Sequence, residues 1–259
     1  MGGMRFSANL GFLWKDRSLP EAIRAAKMAG FDAVECHWPY DVPAAEVAAA
    51  LGETGLEMLG LNTSRGDVAS GENGLSALPG RETDARAAID EAISYASTIG
   101  AANIHVMAGF ASGEEAHRCF LANLGYACKA ALPHGITILI EPLNHYDAPG
   151  YFLSTTEQAC MIMEELGAPN LKLMFDCYHV QLMEGNLTNR LKRLLPVTGH
   201  VQFASVPDRG PPDGGEVSYS YIFGLLEELG YDAPLGAEYK PVGSTENSLG
   251  WMARQLRDA

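Results

Sequence analysis

Thr137-Ile138-Leu139-Ile140-Glu141, a short β-branched run ending on a carboxylate, is followed by a segment of helical period over 155–166. Gly167 closes that segment, and Leu171-Lys172-Leu173-Met174-Phe175-Asp176 then repeats the first pattern, an apolar run ending on an acid. Strand, helix, strand is the unit of a parallel sheet. Working outward, the unit recurs along the whole chain. Strand-like runs lie at 5–9, 33–36, 57–62, 103–107, 137–140, 171–176, 199–204 and 235–239. Helical patterns occupy 19–29, 43–54, 82–100, 114–132, 155–166, 186–195, 218–229 and 244–256. In the seventh of these, Tyr221, Ile222, Leu225, Leu226 and Leu229 share one helix face. Gly30, Gly55, Gly100, Gly135, Gly167 and Gly230 fall just past helices, where a left-handed terminating residue is wanted.

Eight such units predict an α/β fold, a (β/α)8 TIM barrel, whose usual size is about 250 residues. The rival, an open doubly wound sheet, usually has fewer strands and carries Gly-rich phosphate turns, and neither G-x-G-x-x-G nor G-x-x-x-x-G-K-[ST] occurs here. No linker or composition shift divides the 259 residues, so 1–259 reads as one barrel domain. Long loops at 63–81, 144–154 and 205–215 all follow strands, the face on which barrels build active sites.

Composition narrows the function. Hydrophobic residues at 47% and charged residues at 19% describe a globular chain. Eighteen Lys+Arg against 32 Asp+Glu leave a formal charge of −14, with no basic run to meet a phosphate backbone. Nucleic acid is therefore not an expected partner. Five unpatterned cysteines, no charged-then-apolar leader and no long apolar span lead us to expect a reduced, cytoplasmic protein that does not cross a membrane.

Acids at strand ends are the most informative chemistry. Glu141 and Asp176 close their strands, His179 follows three residues later, His200 and Gln202 alternate onto one face of the seventh strand, and Glu238 and Lys240 are spaced likewise in the eighth. A carboxylate ending a buried strand costs several kcal/mol unless compensated. Three that converge on one mouth, with an amide oxygen, ask for a divalent cation. Hard oxygen donors suit Mg2+ or Mn2+, and Zn2+ stays open. His105 either lines the barrel or is a hydrogen-bonded core imidazole. His37, Trp38 and Tyr40 either wall a pocket or pack a loop. Cys177 reads as packing. No G-x-S-x-G elbow supports covalent hydrolysis.

At these residues the chain resembles the hydroxypyruvate isomerase family, a branch of the xylose isomerase-like TIM barrels that also holds 2-oxo-tetronate isomerases. The likeness runs through residues 5–10, Pro79-Gly80-Arg81-Glu82, Ile140-Glu141-Pro142-Leu143-Asn144-His145, Asp176-Cys177-Tyr178-His179, Gly199-His200-Val201-Gln202, Asp208-Arg209-Gly210 and Glu238-Tyr239-Lys240-Pro241. The resemblance implies that Glu141 and Glu238 are the proton donor/acceptor pair, and that they bind a divalent metal with Asp176 and Gln202. It departs at Asn62-Thr63-Ser64-Arg65-Gly66-Asp67, which sets Arg65 beside the mouth. We expect an aldose–ketose isomerisation between hydroxypyruvate and 2-hydroxy-3-oxopropanoate, or of a related 2-oxo acid, by way of an enediolate. Lys240 and Arg209 are the expected grips for a substrate carboxylate, with Lys240 alternatively a structural partner of a glutamate. His179, His105 and Asn62 complete the expected substrate contacts. The rival readings are a ketose 3-epimerase acting on a neutral sugar, a metal-dependent phosphodiesterase of the endonuclease IV type, and a binding protein without activity. Family habit suggests a dimer or tetramer.

Overall fold

The computed structural model describes residues 4–255. Its strands are β1 (Phe6–Asn9), β2 (Ala33–Glu35), β3 (Glu57–Met58), β4 (Gly60–Asn62), β5 (Asn103–His105), β6 (Thr137–Ile140), β7 (Leu171–Asp176), β8 (Thr198–Phe203) and β9 (Leu235–Ala237). The helices are α1 (Leu19–Met28), α2 (Ala44–Thr54), α3 (Glu82–Ile99), α4 (Gly113–Ala131), α5 (Thr156–Leu166), α6 (Cys177–Met183), α7 (Leu187–Leu194), α8 (Tyr219–Glu228) and α9 (Gly250–Gln255). All pairings between strands are parallel, in the order β3-β2-β1-β9-β8-β7-β6-β5-β4. β3 and β4 are two pieces of one extended run separated by Leu59. One piece pairs with β2 and the other with β5, so the run joins the two ends of the order and the sheet curls into an eight-sided barrel.

The expected units therefore form, with shorter strands. Two differences have physical causes. Helix α6 starts directly after β7, with the Asp176 side chain capping it by accepting from Tyr178 N at 2.9 Å. Strand alternation thus ends at Asp176 and Cys177 opens the helix, buried as its reading as a packing residue expects. The last expected helix starts late: a 3-10 turn at Glu246–Ser248 precedes α9, and Leu256 lies outside the described residues. Among the described residues, no helix is long and apolar enough to cross a membrane.

Alternation along β8 shows how the fold sorts its chemistry. His200 and Gln202 reach polar partners inside the barrel, while Phe203 joins the layer between sheet and helices. There Phe203 makes edge contacts with Phe6, Phe223 and Trp251 at centroid distances of 6.0, 5.0 and 5.3 Å. Tyr239, just past β9, accepts a hydrogen bond from Trp251 Nε1 at 3.1 Å, which ties the segment after β9 that bears Glu238 to α9. Phe203→Ala should remove about 3–5 kcal/mol of stability. Urea unfolding will measure this, and a loss under about 1 kcal/mol would show that the layer tolerates a cavity there.

Candidate active site

The three acids and the amide stand at the same end of their strands. Glu141 follows β6, Asp176 closes β7, Gln202 is the penultimate residue of β8 and Glu238 follows β9. Register sets Asp176 beside Gln202, and Gln202 beside Gly236. All four are buried, with relative exposures of 7%, 1%, 2% and 6% in that order. A mouth cavity of about 180 Å3 is lined by Asn62, His105, Glu141, His179, Arg209 and Glu238, among others. A smaller enclosed chamber of about 20 Å3 shares Asn62, His105, Glu141 and Glu238 and adds Glu35, His200 and Gln202.

The environments of the two glutamates differ sharply. Burial, together with Glu238 and Asp176 nearby, pushes the Glu141 carboxyl well above the usual range, and its Oε1 has no hydrogen-bond partner. Burial would also raise Glu238, but the Arg209 guanidinium and His37 outweigh it and hold Glu238 well below the usual range. Its Oε2 accepts from Arg209 Nη2 at 2.6 Å, and its Oε1 accepts from Asn9 Nδ2 at 3.0 Å and lies 2.8 Å from His37 Nε2. Burial, against the pull of Arg209 and with Glu238 adding to it, lifts Asp176 to about 7.

Two histidines of the site, His105 and His179, are held neutral. Burial lowers His105 to about 4 and His179 to about 3. His179 Nδ1 accepts the Asn144 backbone N–H at 3.0 Å, so the ring's one proton sits on Nε2. That Nε2–H is 3.5 Å from Asp176 Oδ2 and 3.9 Å from Glu141 Oε1. His179 therefore presents a donor to the site. His105 Nδ1 is 3.4 Å from Glu141 Oε2 without a hydrogen bond, and both its ring nitrogens are orphaned.

The expected substrate residues divide. Arg209 is buried, spans Glu238 and Asp176, and has its guanidinium between Phe12 and Tyr178 at 4.7 and 4.9 Å from the ring centroids. Asn62 is half-buried, and its carbonyl accepts from Tyr40 OH at 2.5 Å. Lys240 is not brought in: it is exposed and absent from the linings of both chambers. The reason is that β9 ends at Ala237, so two-residue alternation does not carry Lys240 to the side of Glu238. Of the two readings of His37, the pocket wall holds: it lines the mouth cavity and lies 2.8 Å from Glu238 Oε1. Two contributors went unread in the sequence: Asn9 binds Glu238, and Glu35 lies 2.7 Å from His200 Nε2. Glu35 ends an apolar strand as Glu141 does, so the same rule could have found it. Beside the mouth, a cavity of about 460 Å3 is lined by Lys15, Arg17 and Arg65, with Arg65 lying 3.8 Å over the Trp38 ring.

The donor set fits a divalent cation. Ligand atoms of Glu141, Asp176 and His179 lie within 4.8 Å of one another, though the His179 proton leaves the oxygens as the ready donors. Buried Oε1 atoms of Glu141 and Gln202 lack partners. Oxygen donors of this kind suit Mg2+ or Mn2+. A pH dependence follows. Asp176 and Glu141 sit above their unfolded values and make metal-free stability fall as pH rises, while the lowered His105 and His179 act in the opposite sense below about pH 6.5, so the fall shows between about pH 6.5 and 8. The metal-free urea midpoint should drop across that window and Mn2+ should restore it more strongly at the upper end. A flat profile unaffected by Mn2+ would contradict this.

Comparison with known proteins agrees with the geometry. Residues 23–255 match the family described as xylose isomerase-like TIM barrel. A 2-oxo-tetronate isomerase of Cupriavidus necator is 45% identical over 97% of this chain and 98% of its own length. The hydroxypyruvate isomerase of Escherichia coli is 39% identical over 96% and 98%. A crystal structure of a protein named AP endonuclease, family 2, from Brucella melitensis superposes with a TM-score of 0.94 at 39% identity, covering 97% of this chain and 98% of that one. The chain is an isomerase-type enzyme that belongs to the xylose isomerase-like TIM barrel family, in the branch of the hydroxypyruvate and 2-oxo-tetronate isomerases.

Proposed function

We propose that the protein interconverts hydroxypyruvate and 2-hydroxy-3-oxopropanoate, or the corresponding isomers of a four-carbon 2-oxo acid, with Mg2+ or Mn2+ as cofactor. The observation that carries this reading is the opposed tuning of two glutamates on one small cavity. Environments that push two carboxyl groups apart mark an acid and a base. Glu238 is the ionised partner and takes the proton from the hydroxyl-bearing carbon. Glu238 then returns that proton to the neighbouring carbon, and Glu141, which exchanges its own proton for the cation when one binds, carries the hydroxyl proton from one oxygen to the other, so both carboxylates end as they began. Nothing is oxidised or reduced overall, so no redox cofactor is needed. Glu141, Asp176, Gln202 and Glu238 would hold the cation, which would supply charge stabilisation for the developing negative charge. His179 Nε2–H donates to a substrate oxygen without a change of its own protonation.

A cavity of about 180 Å3 suits a small acid. The Arg209 guanidinium attracts the substrate carboxylate, and Lys15 and Arg65 in the adjoining cavity favour an anion over a neutral sugar. Five free cysteines accord with a cytoplasmic setting. The donor set is mainly oxygen and the chain carries a formal charge of −14, which disfavours the zinc-based phosphodiesterase reading.

Glu238→Gln should lower kcat by about 10²–10⁴-fold with an unchanged circular dichroism spectrum. Near-wild-type turnover would remove Glu238 from the chemistry. Prolonged EDTA treatment should abolish conversion of hydroxypyruvate, and Mn2+ should restore it. A C3 epimer formed from D-fructose, with hydroxypyruvate untouched, would instead favour the epimerase reading.

A further inference from the structure

The acid–base scheme above uses neither Glu35 nor His200, yet both are buried, at 3% relative exposure each. Glu35 Oε2 is 2.7 Å from His200 Nε2 and accepts from Gln202 Nε2 at 3.3 Å, while Glu35 Oε1 has no partner. A buried, half-satisfied carboxylate is a poor choice for packing alone, since an apolar side chain of similar volume is often no less stable. The surroundings are shaped to keep it. Glu35 on β2 reaches β8 past β9, where Gly236 stands; a Cβ there would lie 2.4 Å from Glu35 Oε1, 2.7 Å from Gln202 Cγ and 2.9 Å from His200 Nε2.

The chemistry of the pair is asymmetric. A glutamine amide has one accepting and one donating end of nearly equal size, so packing cannot choose between them. A carboxylate only accepts. Bound to Glu35, the Gln202 amide must turn its NH2 toward the barrel interior and leave Oε1, which has no protein partner, as the free end. We propose that Glu35, braced by His200, is a positioning residue that fixes the Gln202 amide with its oxygen toward the cation. This rests on the reading of Gln202 as a metal ligand.

The test is the Mn2+ affinity of the folded protein, measured by isothermal titration calorimetry, with thermal unfolding as a check on folding. Glu35→Gln should weaken Mn2+ binding about tenfold, the lower end of the effect of losing an outer partner of a metal ligand. Glutamine at this position accepts or donates equally well and no longer dictates the amide. In a Gln202→Glu background, where both ends of the side chain are oxygens, the same change should cost nothing. Equal weakening in both backgrounds would overturn the proposal. Should Gln202→Glu fail to fold, Glu35→Asp takes its place: it keeps an accept-only group and should retain most of the affinity that Glu35→Gln loses, and equal loss in the two would overturn the proposal. Gln202→Leu separates the two readings. Unchanged affinity there removes Gln202 from the metal and this proposal with it, whereas weakening there with none in Glu35→Gln overturns the positioning role alone.

Discussion

Uncompensated negative charge inside the barrel is the constraint around which the molecule is arranged. Among the described residues, the fully buried charged side chains are Glu35, Glu141, Asp176, Glu238 and Arg209. One guanidinium cannot balance four carboxylates, and their burial leaves the excess poorly screened. Arg209 is shared unequally. It lies 2.6 Å from Glu238 and 3.5 Å from Asp176, so Glu238 stays ionised and the remaining burden shows as raised affinity for protons at Asp176 and Glu141. A site that holds protons against burial is one that exchanges them for a cation when one arrives.

The barrel makes this concentration possible. Strands β6 to β9 bring their acidic residues to one end, and the helix–sheet layer behind them, with Phe203, Phe223 and Trp251 at its centre, supplies the apolar stability that buried charges consume. Loops add what strands cannot. Arg209 adopts a left-handed backbone conformation, at φ 53°, and comes from the loop after β8. His37 comes from the segment after β2. In each case the strand end carries the acid and the loop carries its partner, a division expected where rigid elements must hold reacting groups and loops tune them.

Much of this was legible in the sequence, for identifiable reasons. Alternation and helical period are local, so the eight units and the inward placement of Gln202 could be read directly. Glu141, Asp176 and Glu238 stood out because an acid terminating a buried run is anomalous on energetic grounds alone. His37 could be read as a pocket wall, but its contact with Glu238, like that of Asn9, could not, because Glu238 is 201 and 229 residues away and no local pattern encodes either contact. Glu35 was missed for a lesser reason: the strand was read as running on to Cys36, so its acid did not stand at the strand end. Lys240 misled because spacing was read as alternation beyond the point where the strand stops. The proton position on His179, which makes it a donor, depends on the Asn144 backbone and belongs to tertiary structure.

The central claim is that four oxygen-bearing side chains from four strands surround one cation. Anomalous diffraction at the manganese edge, from crystals grown with Mn2+, tests it most directly. The account requires a single strong peak within bonding distance of carboxylate oxygens of Glu141, Asp176 and Glu238 and of Gln202 Oε1. A peak held by other residues, or none at that centre, would contradict it.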